Sequence, residues 1–401
     1  HTTLPQGEGA ISLGDVPMKR KPFKIFALAV AGLLVALLLP NRSQAPALAQ
    51  NPDPFNVYLP LIIKPPVALC RFGIAAVPGL PGYDTDLNPL KVGAFIDWAP
   101  EPSRSLPAEV DYIHVISVRD SFDDTARAAQ AADLAAAYPG DYWQVGNEPD
   151  TSYYGGNGVT QDNITAETYA HRYRVIAEAI KNADPTAKIG FGSIVQPTPI
   201  RLRYLDRAWT ALLIETDSYA EANSLVDFWS IHSFILNEIP GQWGTGIPKG
   251  FEDDYSDAVA ITNFADTYSI SLFQQRILAM RRWMRDRGQR DKALWVTEFG
   301  SLFPPVDQPG GLDNVNVSDA VTANFMVQTF NYLNSATSSS LGLPSDGNRL
   351  VQRWFWYSLN DHRYYFGGSL YDPDNSGAIT PVGSKFIQYV APLTPEMNCK
   401  P

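Results

Sequence analysis

Apolar and β-branched residues gather along this chain in short runs bounded by Pro, Gly, Asn and Asp, and eight such runs follow one another after residue 69. They span residues 71–77, 91–97, 110–118, 141–147, 187–194, 226–232, 293–299 and 350–357. Most are close to continuously apolar, the pattern of strands buried on both faces in a parallel sheet. Between several of them the period becomes that of a helix. Residues 124–138 are rich in Ala; in 165–183, Tyr169, Tyr173, Ile176 and Ile180 recur at spacings of 4, 3 and 4. Thr165 is placed to cap that helix and Asp184-Pro185 to stop it. Phe273, Ile277 and Met280 mark one face of 271–287, and 318–333 gives a further helix.

Strand and helix alternating to a count of eight predict an α/β fold, a single (β/α)8 barrel. The connections 78–90 and 98–109 carry Pro and Gly and leave little room for a helix, so the first two βα units are expected to be irregular. An open doubly wound sheet is the alternative architecture. There is no internal repeat.

Four segments are expected. Residues 1–17 show no periodicity and read as an upstream extension or cloning remnant. Residues 18–49 read as a signal peptide: Lys19, Arg20, Lys21 and Lys24 precede the apolar run 25–39, and Ala47-Leu48-Ala49 offers a small-residue cleavage site. A membrane anchor is the other reading, but 15 apolar residues closed by Pro40 fall short of the roughly 20 that a span needs. Residues 50–68 form a Pro/Asn-rich linker, and 69–399 the barrel. Export and cleavage make the protein secreted, with no stable membrane span. The two cysteines, Cys70 and Cys399, flank the barrel and are expected to pair in an oxidising compartment.

Composition narrows the chemistry. A net charge of −11 argues against a nucleic-acid surface, which needs clustered Lys and Arg. No Gly-rich phosphate loop is present, and no His or Cys cluster has zinc spacing, so neither a cofactor nor a metal is expected. Residues 372–377 mimic the start of a calcium loop, but Gly383 stands where a bidentate Glu belongs. Aromatic residues make up 12%, a supply of flat side chains suited to sugar rings as well as to cores.

Barrel enzymes carry their chemistry at the C-terminal ends of strands. The fourth run closes on Asn147-Glu148-Pro149 and the seventh on Thr297-Glu298-Phe299-Gly300, each a glutamate after a very apolar strand. A carboxylate there costs desolvation energy unless it has a partner or a task. Three strands apart, the two acids would face each other across the mouth, the arrangement that glycosidic cleavage uses.

On these residues the chain resembles the retaining (β/α)8 glycoside hydrolases of clan A, over about residues 70–395. The resemblance implies Glu148 as general acid/base, Glu298 as nucleophile, and Asn147 as a partner of the sugar 2-hydroxyl. His232, closing the sixth run, and Trp356, on the eighth, match a site histidine and the aromatic floor of the sugar site. Many members carry a Tyr two residues after that histidine, bonded to the nucleophile; here it is Phe234, so Tyr112 or another tyrosine is the expected orienting partner. The segment 367–386 is similar to the stretch after strand eight. Trp295-Val296-Thr297-Glu298-Phe299-Gly300 and Val226-Asp227-Phe228 resemble a group that includes β-1,3-glucan-cleaving enzymes.

Loop aromatics complete the candidate list. Trp243, with Phe251 and Tyr255, lies in the long loop 235–269, and Tyr153 and Tyr154 lie beside Gly155-Gly156 on the fourth loop. The leading expectation is a secreted retaining glycosidase of a β-linked carbohydrate, with Glu148 protonated and Glu298 ionised in the free enzyme. The rivals are a non-catalytic carbohydrate-binding barrel and a metal-dependent barrel hydrolase.

Overall fold

A computed structural model describes residues 69–151, 161–303, 316–361, 366–372 and 377–395. Eight parallel strands close into a barrel: β1 (Leu69–Ala75), β2 (Val92–Ile96), β3 (Asp111–Ile116), β4 (Tyr142–Val145), β5 (Lys188–Ile194), β6 (Phe228–His232), β7 (Ala293–Gly300) and β8 (Arg353–Tyr357). Each pairs with the next, and β8 returns to β1 with Phe72 beside Trp354 and Ala75 beside Tyr357. The open-sheet alternative is thereby excluded. All eight runs became strands.

Seven α-helices lie among them: α1 (Asp124–Ala137), α2 (Ala166–Ala183), α3 (Pro199–Glu215), α4 (Tyr219–Leu225), α5 (Ile270–Asp286), α6 (Asp319–Ser335) and α7 (Pro381–Val390). Thr165 caps α2 by accepting from Thr168 N, and Tyr169, Tyr173, Ile176 and Ile180 form its buried face, as their spacing predicts. After β1 there is a single 3-10 turn, Asn88–Leu90, and no helix joins β2 to β3. That irregular quarter is held by side chains instead. Asp97 accepts from the Tyr83 and Tyr112 hydroxyls, and Arg104 Nη2 donates to Thr85 O at 3.0 Å.

Strand alternation divides the apolar residues into two layers. Phe355, Tyr357, Trp295, Tyr142 and Phe228 fill the barrel, whereas Trp354, Trp356, Phe299, Trp143 and Trp229 pack between barrel and helices. Among the described residues, no helix is long and apolar enough to cross a membrane.

Candidate active site

The chain leaves β4 through Gly146 and Glu148, both with left-handed backbone, at φ 92 and φ 45. Gly146 is required twice over: its φ suits glycine, and a Cβ there would lie 2.8 Å from the Tyr169 ring. Glu148 has no such excuse, and the conformation costs on the order of 1 kcal/mol. Hydrogen bonds to both flanking strands hold it. Gly146 N donates to Ile116 O at 2.8 Å, Glu148 N to Ser193 O at 3.1 Å, and Asn147 N to Asp162 Oδ2 at 2.6 Å. Asp162 is itself fixed by the Ser117 hydroxyl at 2.5 Å.

Glu298 reaches the barrel interior by a bulge. Trp295 faces inward, so strict alternation would send Thr297 inward and Glu298 toward the helices. The register against β6 slips here, from Ile231 beside Val296 to His232 beside Glu298. The extra residue re-aims Glu298 at the mouth and lets Phe299 pack outward against Phe273, with ring centroids 5.4 Å apart. Ser233 N donates to Glu298 O at 2.9 Å and seals the bulge.

The two acids meet at His232. Its Nδ1 lies 2.9 Å from Glu148 Oε1 and 3.6 Å from Glu298 Oε2, and the imidazole is fully buried. One oxygen from each acid and one His232 nitrogen all lie within 4.8 Å of one another. This trio is also the one group among the described residues with three acidic or imidazole donors converging for a metal.

The site is dehydrated and its titration reflects that. Burial pushes the Glu298 carboxyl up to about 8, with the charges of Glu148 and Asp361 acting the same way; His232 and the Trp98 indole oppose the rise. Burial alone would lower the His232 imidazole, but the charge of Glu298, the hydrogen bond with Glu148 and the charges of Glu148 and Asp150 hold it above its ordinary value. The expectation of an ionised Glu298 in the free protein is therefore corrected. Walled by aromatic residues and beside two other acids, Glu298 holds a proton at neutral pH in the empty site.

A second buried network braces the same loops. Arg201, with no exposure, places Nη1 2.6 Å from Asp150 Oδ2 and Nε 2.8 Å from Glu238 Oε1. Glu238 also accepts from Gln196 Nε2 at 2.8 Å, Thr198 Oγ1 at 2.5 Å and Val259 N at 2.7 Å. One guanidinium thus ties the loop after β4, which carries Glu148, to the loops after β5 and β6.

Of the sequence candidates, Asn147, Glu148, His232 and Glu298 come together. Trp243 is half-buried against Phe303 and Phe264, at centroid distances of 4.9 and 5.5 Å, and packs on the inner apolar layer. Trp356 does not line the mouth. It faces the helices, with no exposure, its ring 6.0 Å from Phe330 and its Nε1 donating to Gly368 O at 2.7 Å. Alternation places Tyr357 inward in its stead, donating to Asp361. Tyr112 does not orient Glu298 either, because its hydroxyl bonds Asp97 and Ala99 O. Phe251 packs under Arg207 and Arg203, and Tyr255 is exposed. Tyr153, Tyr154, Cys399 and residues 1–68 lie outside the described residues, as do four residues of the calcium-like loop. Sequence reasoning missed Trp98, Tyr357, Asp361 and the Arg201 network. The rule of reading strand ends would have found Trp98, one residue past the second run.

Several solved structures share this architecture. The GH128 (subgroup I) endo-β-1,3-glucanase from Amycolatopsis mediterranei, in complex with laminaritriose, matches with a TM-score of 0.50 at 17% identity, over 79% of this chain and 98% of that one. A variant of that enzyme gives a TM-score of 0.51 at 17% identity, over 79% and 99%. A monomeric β-xylosidase from Caulobacter crescentus CB15 matches at 0.49 and 13% identity, over 82% and 69%. No family model and no curated protein matches the chain. The structural neighbours are glycoside hydrolases of clan A families, and the fold they share with this chain is the closed eight-stranded (β/α)8 barrel.

Proposed function

We propose that this chain is an exported retaining glycoside hydrolase of β-linked polysaccharide or oligosaccharide, with β-glucan as the foremost substrate class. The observation that carries the reading is the approach of Glu148 and Glu298, through His232, to within 4.8 Å. Carboxyl groups about 5–5.5 Å apart suit a covalent double displacement, whereas inversion needs about 6.5–9.5 Å to admit a water.

Glu298 attacks the anomeric carbon as the glycosidic C–O bond breaks, and Glu148 gives its proton to the departing oxygen. Glu148 then takes a proton from water, whose oxygen attacks the same carbon and releases Glu298. The empty site holds a proton on the coupled acids, and the positive charge that develops on the sugar ring favours the anion on Glu298, leaving the proton to Glu148. Asn147 would meet the 2-hydroxyl, and Trp243, Tyr153 and Tyr154 would contact further sugar units. The test is the anomeric configuration of the first product by proton NMR across a panel of β-linked substrates. Retention is expected; inversion overturns the mechanism.

Cys70 and Cys399 belong to the same proposal as a disulfide formed after export. Lys91 Nζ donates to Ala391 O at 2.6 Å and Leu69 N to Lys91 O at 2.7 Å, so the tail after α7 passes beside the strand carrying Cys70. An intact mass lower by two hydrogens than the reduced protein supports it; two alkylatable thiols overturn it.

A further inference from the structure

Just past β2 the chain turns through Trp98, whose φ of 57 lies in the left-handed region that bulky residues rarely adopt. Such conformations persist where surrounding contacts over-determine them, and they gather at functional sites. Here Asp97 Oδ1 accepts from Ala99 N at 3.3 Å and is anchored by the Tyr112 hydroxyl, so the turn is braced on both sides. The turn lays the indole against the inner apolar layer, edge-on to Tyr357 with ring centroids 5.7 Å apart. Tyr357 stands beside Gly300 in register, two residues past Glu298.

The indole Nε1 is buried and has no acceptor at hydrogen-bonding geometry among the described residues. A buried donor left unserved is costly, which makes its orientation informative. Its neighbour is Glu298, whose charged form it favours. The N–H is near enough to be felt by the carboxylate, without the alignment of a full bond. Phe234, which also lines this wall, offers no side-chain donor.

We propose that Trp98 is a positioning residue for Glu298: its indole N–H takes the anionic carboxylate and aims the other oxygen at the sugar, with Tyr357 bracing the ring. The catalytic meaning rests on the function proposed above, whereas the contact itself belongs to the free protein. The other titratable groups facing Glu298 are Glu148, His232 and Asp361.

The decisive experiment replaces Trp98 with benzothienylalanine, which keeps the bicyclic shape and lacks the N–H, with Trp98→Phe as a second variant. The Glu298 carboxyl is titrated by carbon-13 NMR, its signal assigned by its loss in Glu298→Gln. The midpoint is expected to rise by about half to one pH unit in the isostere, as removal of one donor to a carboxylate requires. On a substrate that the wild type cleaves, kcat is expected to fall about 10-fold or more with KM little changed. An isostere with the wild-type midpoint overturns the proposal and leaves Trp98 a packing residue. A wild type that cleaves no glycoside overturns the hydrolase reading instead, while the titration still decides the contact.

Discussion

His232 Nδ1 lies 2.9 Å from Glu148 Oε1, with the imidazole enclosed and no solvent between them. Because Glu298 stands on the other side of the same nitrogen, the three groups titrate as one unit. The proton inventory of this cluster, more than any single group, governs how the site responds to pH.

The raised Glu298 carboxyl has a thermodynamic consequence. In the unfolded chain it ionises near 4.5; in the folded protein it holds its proton to about 8. Between those values the folded state binds the extra proton, so stability falls as pH rises through the window. The raised His232 imidazole acts with the same sign above its ordinary value. Glu298→Gln should therefore have little effect on Tm near pH 4 and raise it progressively toward pH 8, by the equivalent of on the order of a few kcal/mol. A Tm difference that shrinks with rising pH would contradict this.

Arg201 should behave as a structural keystone. Arg201→Met leaves Asp150 and Glu238 buried without a counter-charge, at an expected loss of about 3–5 kcal/mol in denaturant unfolding. Arg201→Lys should recover only part of it, because an ammonium cannot fork between two carboxylates. A loss under about 1 kcal/mol for the Met variant would show that the network does not brace the loops.

Glu148, His232 and Glu298 could each donate to a divalent cation, and the proposed reaction uses them differently, through their protons. Turnover should be unchanged after exhaustive dialysis against EDTA. A loss of activity that one divalent ion restores would instead support the metal-dependent reading.

Much of the fold was legible because both-face burial writes continuous apolar runs, and all eight strands fell within them. Helices α3, α4 and α7 were not singled out. In α3 the buried face includes Arg201 while Ile214 is exposed, so polarity and burial disagree there. The two glutamates stood out as acids closing apolar strands. The bulge at Thr297 was invisible, because alternation is a property of register and register is set by pairing with β6. The same limit explains Trp356: two tryptophans alternate with Phe355 and Tyr357, and sequence alone does not say which pair faces inward. Arg201 and Glu238 meet only after folding, across 37 positions of chain.

The most direct test of the central claim is turnover by the wild type, Glu148→Gln and Glu298→Gln on a panel of β-linked polysaccharides. The wild type should release reducing ends from at least one of them. Both variants, folded by circular dichroism, should lose at least about 1,000-fold, since each removes a group that acts in the reacting complex. Near wild-type turnover in either variant would contradict the assignment of these two acids to one reaction.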